Sequence, residues 1–251
     1  MQAACFTASA ALFQGVSMIR KESLMSFFLS ILLLLSALVL AREVAARFTL
    51  STAVSFSADS FTVVIDSGHG GIDPGNVASD GTEEKTLNLA IALKLKTFLE
   101  ANDVTVIMTR ADDSGLYAES SSNKKVEDMK NRVALMEKAS PDLVVSIHQN
   151  SYSSATIKGA QVFYYTTSLQ SKALAEILQA SLIKRLDPDN TRQAKANDTY
   201  YLLKKTSVPI VIAECGFMSN PDELALLKDE DYQSKVAWAL YMGIMEYLHT
   251  Q

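Results

Sequence analysis

Three polar motifs that directly follow apolar runs contain side chains able to bind a metal or transfer protons. His69 lies in "DSGHGG" after "FTVVI", His148 lies in "SIHQNS", and Glu214 lies in "IAECGF". A single histidine at a strand end is more often a hydrogen-bonded structural residue, but a carboxylate that closes an apolar strand is costly to bury alone. Because the carboxyl ends of parallel strands meet at one edge of a sheet, the three residues together predict a functional site.

Two histidines and one carboxylate are the protein ligands of a common type of catalytic zinc site, whose fourth position is left for water. The carboxylate is expected from "GTEEKTLNLA", where Glu84 shares a helical stripe with Leu87 and Ile91. Glu83 is an i−4 neighbour of Leu87, so periodicity leaves the choice between the two glutamates open. The sequence therefore predicts a site for one Zn²⁺ ion.

Other catalytic motifs fit less well. The glycines of "GHGGID" lack the spacing of a dinucleotide-binding loop, and neither G-x-S-x-G nor H-E-x-x-H occurs. Cys215 could be a thiol nucleophile with His148 as its base, although a small residue in an apolar strand is more simply a buried, inert thiol.

Residues outside this set are candidates for substrate binding. Arg192 and Lys195 lie in "TRQAKAND" and could meet peptide carboxylates, although a solvated charged loop explains them equally well. Asn150, two residues after His148, is the third candidate. Lys85, beside Glu84, is interpreted as a helix-surface residue.

Apolar runs alternate with helical patterns from residue 59 to the end of the chain. This alternation predicts an α/β fold with a largely parallel sheet. The predicted strands are 61–66, 104–109, 142–148, 160–165 and 209–214, and the predicted helices are 84–100, 125–139, 171–186 and 231–248. With no internal repeat and no second domain, residues 59–251 are predicted to form a single catalytic domain.

An uncharged apolar block, residues 23–41, precedes a linker predicted over 42–58. At ~1.5 Å per residue the block is just long enough to cross a bilayer core. Arg20 and Lys21 before it favour a cytoplasmic N-terminus and export of the remaining chain. Both a cleaved signal and a retained membrane anchor fit this pattern.

Three further observations concern the start of the chain, its net charge and its cysteines. Residues 1–17 contain no charged side chain, so within the N-terminal region 1–22 translation is hypothesised to begin at Met18. The net charge of −5 and the lack of Lys/Arg-rich blocks give no reason to expect nucleic-acid binding. Of the two cysteines, only Cys215 lies in the exported part, which excludes an intrachain disulfide there.

Four motifs, occurring in a fixed order, resemble those of the zinc-dependent N-acetylmuramoyl-L-alanine amidases: "VVIDSGHGG", "EKTLNLAIALKL", "VVSIHQNS" and "VIAECGFMSNPDE". The resemblance extends from about Thr62 to Leu248. Within the family, "KKVEDMKNRVALMEKASPDLVVSIH" and "KGAQVFYY" are most similar to the germination-specific, spore-cortex branch.

The resemblance implies that His69, Glu84 and His148 bind the zinc and that Glu214 is the catalytic carboxylate. Between the two adjacent glutamates it selects Glu84. It also implies a central, twisted, largely parallel mixed sheet flanked by helices on both faces. Ser67 stands where the family usually has proline. Gln149 stands where a small or apolar residue is common. Neither position is a ligand, so the two departures concern loop rigidity and substrate fit and not zinc binding.

The activity implied is hydrolysis of the amide bond between N-acetylmuramic acid and L-alanine in peptidoglycan, outside the cytoplasm. In the cortex branch the site of action would be the space between the forespore and mother-cell membranes. A separate deacetylase would then act on the product to complete muramic δ-lactam. Two alternatives remain open: a zinc peptidase acting on stem peptides, and a non-catalytic wall-binding protein.

Overall fold

The computed structural model describes residues 25–43 and 61–250. The first stretch is helix α1 (Met25–Glu43). The second contains, in chain order, β1 (Thr62–Ser67), α2 (Glu84–Glu100), β2 (Thr105–Met108), α3 (Lys124–Ala139), β3 (Leu143–Asn150), β4 (Gln161–Tyr165), α4 (Leu169–Leu186), β5 (Lys195–Asn197), α5 (Tyr201–Lys205), β6 (Ile210–Phe217), α6 (Pro221–Lys228) and α7 (Glu230–Leu248).

The six strands form one sheet in the order β2-β1-β3-β6-β4-β5. Strands β2, β1, β3 and β6 run parallel, whereas β4 is antiparallel to β6 and parallel to β5. The predicted largely parallel, mixed sheet is therefore confirmed. In the β3–β6 pair, His148 lies directly opposite Glu214, so the register brings two of the motifs together.

Alternate residues of the central strands pack on opposite faces of the sheet. Val63, Val145 and Ala213 belong to the larger core cluster, which α2, α4 and α7 cover. Val64 and Ile212 belong to a smaller cluster on the other face, which α3 and α5 cover. Both faces are thus covered by helices, as the family resemblance implies.

Three short elements of the described domain are not among the predicted ones: β5, α5 and α6. Strand β5 has three residues at the sheet edge, two of them exposed, so no apolar run marks it. In addition, β3 extends to Asn150 and β6 to Phe217, two and three residues beyond the predicted ends. These extensions include polar residues at the site, which an apolar pattern does not capture.

Helix α1 is long and apolar enough to cross a membrane by its length and composition. This finding is consistent with a signal or an anchor. The hypothesised start at Met18 and nearly all of the linker predicted over 42–58 lie outside the described residues, although Arg42 and Glu43 belong to α1.

Candidate active site

Three candidate metal ligands converge at the carboxyl edge of the sheet. His69 follows β1, Glu84 is the first residue of α2, and His148 lies near the end of β3. One ligand atom from each lies within 4.8 Å of the others. Glu84 is 1% exposed, whereas the side chain of Glu83 is 42% exposed and faces Lys85. The structure therefore directs Glu84, and not Glu83, into the cluster.

The carboxylate of Glu84 is held by backbone and amide donors from three directions. Its Oε2 accepts hydrogen bonds from the backbone N–H and the side-chain amide of Asn76, at 2.9 and 2.8 Å. Its Oε1 accepts from the N–H of Gln149 at 3.1 Å and from Asn88 Nδ2 at 3.2 Å. These bonds favour the ionised form that a metal ligand requires.

Glu84 also contacts both histidines. Its Oε2 lies 3.2 Å from His69 Nε2, and its Oε1 lies 3.0 Å from His148 Nδ1. Although burial opposes ionisation, the bonds with His148 and His69 hold the pKa of Glu84 well below its usual range. Burial also opposes protonation of His148, but its bond to Glu84 raises the pKa of His148 to about 8. The two imidazoles and the carboxylate thus lie close enough together to share one ion.

His69 reaches this cluster from an unusual backbone conformation. Its φ is 61°, in the left-handed region that residues other than glycine rarely occupy. The preceding glycine is required by packing, because a Cβ at Gly68 would lie 2.3 Å from the His148 ring. The far side of the His69 ring, Nδ1, lies 3.0 Å from Asp73 Oδ2. This contact orients the ring with Nε2 toward the cluster.

Glu214 lies beside the cluster, on the same face of the sheet as His148. It is 8% exposed, and its Oε2 is buried without a hydrogen-bond partner among the described residues. Burial raises the pKa of Glu214 to about 7, with the charge of Glu84 adding to the effect and His148 opposing it. A carboxyl group with a pKa near neutrality can both accept and donate a proton during a reaction.

A cavity of about 370 Å³ opens over these groups. The candidate ligands and Glu214 line its polar side, and Met129, Tyr200, Tyr201 and Ile212 supply apolar surface. Asn150, the third substrate-binding candidate, also lines it. At its edge lies Lys125, 66% exposed, with Nζ 3.0 Å from Asp73 Oδ2.

The structure does not bring Arg192 or Lys195 into this cavity. Arg192 donates to the carbonyl of Lys158 at 2.8 Å, and its guanidinium lies 4.7 Å from the centre of the Phe217 ring. Lys195 is exposed in the short strand β5. The loop predicted to carry both residues follows α4, and its bonds hold it near residues 158–161.

The structure also bears on the interpretations of Cys215 and Lys85. Cys215 is buried in the larger core cluster, on the face of the sheet opposite Glu214, and burial raises the pKa of its thiol far above the usual range. It is therefore unsuited to act as a nucleophile with His148. Lys85 is not a simple surface residue, because its side chain is 12% exposed and its Nζ donates to Gly71 O at 2.9 Å.

The two departures from the family pattern lie next to the site. The hydroxyl of Ser67 is buried without a partner among the described residues. Gln149 is 1% exposed, and its side-chain Nε2 donates to Asn88 Oδ1 at 3.2 Å. Gln149 thus supports Asn88, which in turn holds Glu84.

Sequence reasoning missed Asp73, Asn76 and Asn88, which surround the ligands. Asp73 lies four residues after His69 in "HGGIDPG", and this short spacing was the one available signal. The donor set itself, two imidazoles and a carboxylate held ionised, fits zinc. The unpartnered oxygen of Glu214 fits a site that takes a further polar group.

Comparison with known proteins agrees with this geometry. Residues 63–246 match the family described as N-acetylmuramoyl-L-alanine amidase. The chain is 37% identical over 188 residues to the germination-specific N-acetylmuramoyl-L-alanine amidase of Bacillus subtilis, covering 74% of this chain and 78% of that protein. It is 31% identical to the amidase LytC of the same organism, but covers 35% of that protein.

Solved structures show the same relationship. The CwlD amidase of Clostridioides difficile, solved in complex with the GerS lipoprotein, is 43% identical with a TM-score of 0.74, covering 76% of this chain and all of that one. An N-acetylmuramoyl-L-alanine amidase from Clostridium difficile 630 is 30% identical with a TM-score of 0.68, covering 77% and 99%. With the family match spanning most of the domain, this chain belongs to the N-acetylmuramoyl-L-alanine amidase family and is an amidase that acts on peptidoglycan.

Proposed function

We propose that this amidase depends on one zinc ion held by His69, Glu84 and His148, and that Glu214 is its acid–base residue. The observation that carries the proposal is the convergence of three ligand atoms within 4.8 Å, beside a buried carboxyl group. The bond cleaved is the amide between the lactyl group of N-acetylmuramic acid and L-alanine. Asn150, which lines the cavity, is the proposed polar contact to the substrate.

The bound zinc would supply a Lewis acid that polarises the substrate carbonyl and makes water a better nucleophile. Glu214 takes the proton from the attacking water, because its carboxyl group lies beside the cluster and its pKa is raised to about 7. Glu214 then gives a proton to the departing nitrogen, since an amide nitrogen is a poor leaving group unless it is protonated. Asp73 keeps His69 in one tautomer throughout, through the 3.0 Å contact at Nδ1.

Digestion of purified peptidoglycan followed by mass spectrometry of the products tests the reaction. The proposal predicts free stem peptides that begin with L-alanine and glycan strands without peptides, in amounts that depend on added zinc. Split stem peptides would identify a peptidase instead, and unchanged muropeptides would identify a wall-binding protein. Either outcome contradicts the proposal. A chelator-treated sample that regains activity with zinc provides the matched control.

We further propose that the substrate is spore-cortex peptidoglycan, and that a deacetylase acts on the product to form muramic δ-lactam. The similarity to a germination-specific amidase supports this assignment. Spores of a deletion strain should therefore lack muramic δ-lactam, and spores that retain a normal amount would contradict the assignment. Because the similar CwlD is solved with a lipoprotein, we propose that a lipoprotein partner also binds this chain.

We propose that the enzyme acts outside the cytoplasm, in the space between the forespore and mother-cell membranes, with its N-terminal segment in a membrane. The apolar helix α1 and the extracellular nature of peptidoglycan support this location. Immunogold labelling of sporulating cells should place the protein between the two forespore membranes. Labelling confined to the mother-cell cytoplasm would contradict the proposal.

A further inference from the structure

Two buried arginines lie behind the loop that carries His69. Arg110, which follows β2, is 4% exposed, and Arg132, in α3, is 1% exposed. Burying a guanidinium group is costly unless its donors are paired. Neither residue is a candidate ligand, so their position requires another physical reason.

Both arginines donate hydrogen bonds to the same two backbone carbonyls. Arg110 Nε lies 3.0 Å from Ser67 O and 2.8 Å from His69 O. Arg132 reaches the same atoms, with Nη1 2.9 Å from Ser67 O and Nη2 2.6 Å from His69 O. The carbonyls on either side of Gly68 are thus each held by two guanidinium groups. This arrangement fixes the orientation of the peptide units that place His69.

Arg110 also joins this loop to the helix that supplies Glu84. Its Nη2 donates to Gly68 O at 3.0 Å and to the carbonyl oxygen of Lys85 at 2.8 Å. Lys85 directly follows Glu84 in α2. Asn88 reinforces the connection by donating to Gly68 O at 3.1 Å and to Glu84 Oε1 at 3.2 Å. One side chain therefore connects the backbone segments of two candidate ligands.

The loop closes tightly onto Arg110. The left-handed conformation of His69 is unfavourable for a residue with a side chain, so contacts elsewhere must hold it. At Gly70, where φ is 128°, an added Cβ would lie 2.7 Å from Arg110 Cδ and 2.5 Å from Ser114 O. Only glycine allows this approach.

The two arginines differ in how their charge is balanced. Arg132 pairs with Asp66 at 2.6 Å and with Asp128 at 2.7 Å. The hydrogen bonds of Arg110 within residues 61–250 all go to backbone carbonyls, those of Ser67, Gly68, His69, Lys85 and Asp112. Arg132 therefore has an ion-pair role of its own, whereas the contacts of Arg110 are with the loop and the helix start.

We propose that Arg110 is a positioning residue that pre-organises the metal site by holding the His69 loop against the start of α2 before the metal binds. The proposal rests on the proposed zinc dependence. Lysine cannot replace Arg110, because an ammonium group on a flexible stem cannot span five carbonyls that a planar guanidinium reaches together.

The test compares the full-length parent, Arg110→Lys and the control Arg185→Lys. Arg185 lies in α4 and donates to the hydroxyl of Ser181 at 3.2 Å, away from the cavity lining. Zinc affinity is measured by competition with a chromophoric chelator, and amide hydrogen exchange is measured on the metal-free proteins. We expect Arg110→Lys to bind zinc about 10- to 100-fold more weakly and to exchange faster in residues 67–76, with α7 unchanged. Arg185→Lys should match the parent.

A folded Arg110→Lys protein with the parent's zinc affinity and the parent's exchange rates would overturn the proposal. If the variant does not fold, hydrogen exchange of the metal-free parent tests the proposal instead. The N–H groups of Gly68 and Gly70 donate to Ile147 O and Asp73 O, so a pre-organised loop protects them without zinc. Fast exchange of both amides until zinc is added would overturn the proposal. A parent that binds no zinc contradicts the proposed function, and the exchange data still decide whether Arg110 orders the loop.

Discussion

Asp73 shows how single residues outside the set of candidate ligands prepare the site. Its carboxylate lies 3.0 Å from His69 Nδ1 and 3.0 Å from Lys125 Nζ. Although burial opposes the effect, the bond with His69 lowers the pKa of Asp73. Asp73 therefore stays ionised and fixes one tautomer of the imidazole.

Replacement of Glu214 by glutamine should separate proton transfer from zinc binding. Glu214→Gln keeps the shape of the side chain but removes the proton acceptor, so we expect kcat to fall about 10²- to 10⁴-fold. Zinc content should remain that of the parent, because Glu214 is not one of the converging ligands. Muropeptide hydrolysis and elemental analysis of the same preparations measure the two effects.

Two control variants sharpen this prediction. His148→Ala removes a ligand, so it should lose zinc and activity together. Cys215→Ala should keep both, since the thiol lies in the core on the opposite face of the sheet. A fully active Glu214→Gln enzyme, or an inactive Cys215→Ala enzyme that is folded and holds zinc, would contradict the assignment.

The buried carboxyl group of Glu214 should also make stability depend on pH in the metal-free protein. Burial raises its pKa from 4.5 to about 7, so the folded state binds its proton more tightly than the unfolded state does. This contribution to stability is complete below about pH 4.5 and is lost as pH rises through about 7. Glutamine stays neutral, so Glu214→Gln should gain stability relative to the parent over this range, by up to about 3 kcal/mol.

Urea unfolding of both chelator-treated proteins at several pH values measures this difference. The same difference measured for Glu246→Gln provides a control, because Glu246 is an exposed residue of α7. A Glu214→Gln difference that does not change between about pH 5 and pH 8 would contradict the raised pKa.

At the scale of elements, the turn between β6 and α6 anchors the end of the strand that carries Glu214. The side chain of Asn220 caps α6 by accepting from the N–H groups of Asp222 and Glu223, both at 3.0 Å. The carboxylate of Glu223 accepts from the N–H of Phe217 at 2.7 Å and from that of Gly159 at 2.9 Å. The end of β6 is therefore tied both to the helix and to the segment before β4.

Loss of the Asn220 cap should destabilise this connection. Asn220→Ala leaves two N–H groups unpaired at the helix start, so we expect the free energy of unfolding to fall by about 1 kcal/mol. Asn220→Asp retains the acceptor of the cap but loses the Nδ2 donor to Ala155 O at 2.9 Å, so its stability should lie between those of Asn220→Ala and the parent. Chemical denaturation measures both variants, and an Asn220→Ala protein as stable as the parent would show that the cap contributes nothing.

The elements that form the fold were largely predictable, because each long helix and central strand carries its own periodic pattern. Helix α2 begins and ends where the sequence predicts, since its buried stripe repeats over 17 residues. Helix α6 has only 8 residues, and its signal was the cap sequence "NPDE", not its periodicity. The edge strand β5 has no such signal, because it exists only through its pairing with β4.

The candidate ligands were predictable from the sequence, but the residues that support them were not. His69 and His148 directly follow or end apolar runs, which marks them in the sequence, whereas the choice of Glu84 over Glu83 came from the family resemblance. The contacts of Arg110 with residues more than 20 positions away depend on tertiary packing, which no local pattern encodes. The same holds for Arg192, whose interpretation as a substrate contact rested on its charge alone.

At the scale of the whole molecule, the described residues fall into two units, helix α1 and the domain of residues 61–250. The sheet domain buries a continuous apolar core on each face. Helix α1 is different, because none of its residues is buried. Its large apolar side chains are 37–70% exposed, and exposed apolar surface of this extent requires a partner.

Removal of the first 57 residues should convert a membrane-bound amidase into a soluble one. The 19 residues of α1 span about 28 Å at ~1.5 Å per residue, close to the ~30 Å hydrocarbon core of a bilayer. We therefore expect the full chain to remain in the membrane pellet after carbonate extraction, and a chain that begins at Ala58 to stay in the supernatant. Both should hydrolyse soluble muropeptides equally well, because all candidate catalytic residues lie in the second unit.

N-terminal sequencing of the native protein distinguishes an anchor from a cleaved signal. A full chain that is soluble with α1 intact would contradict the prediction.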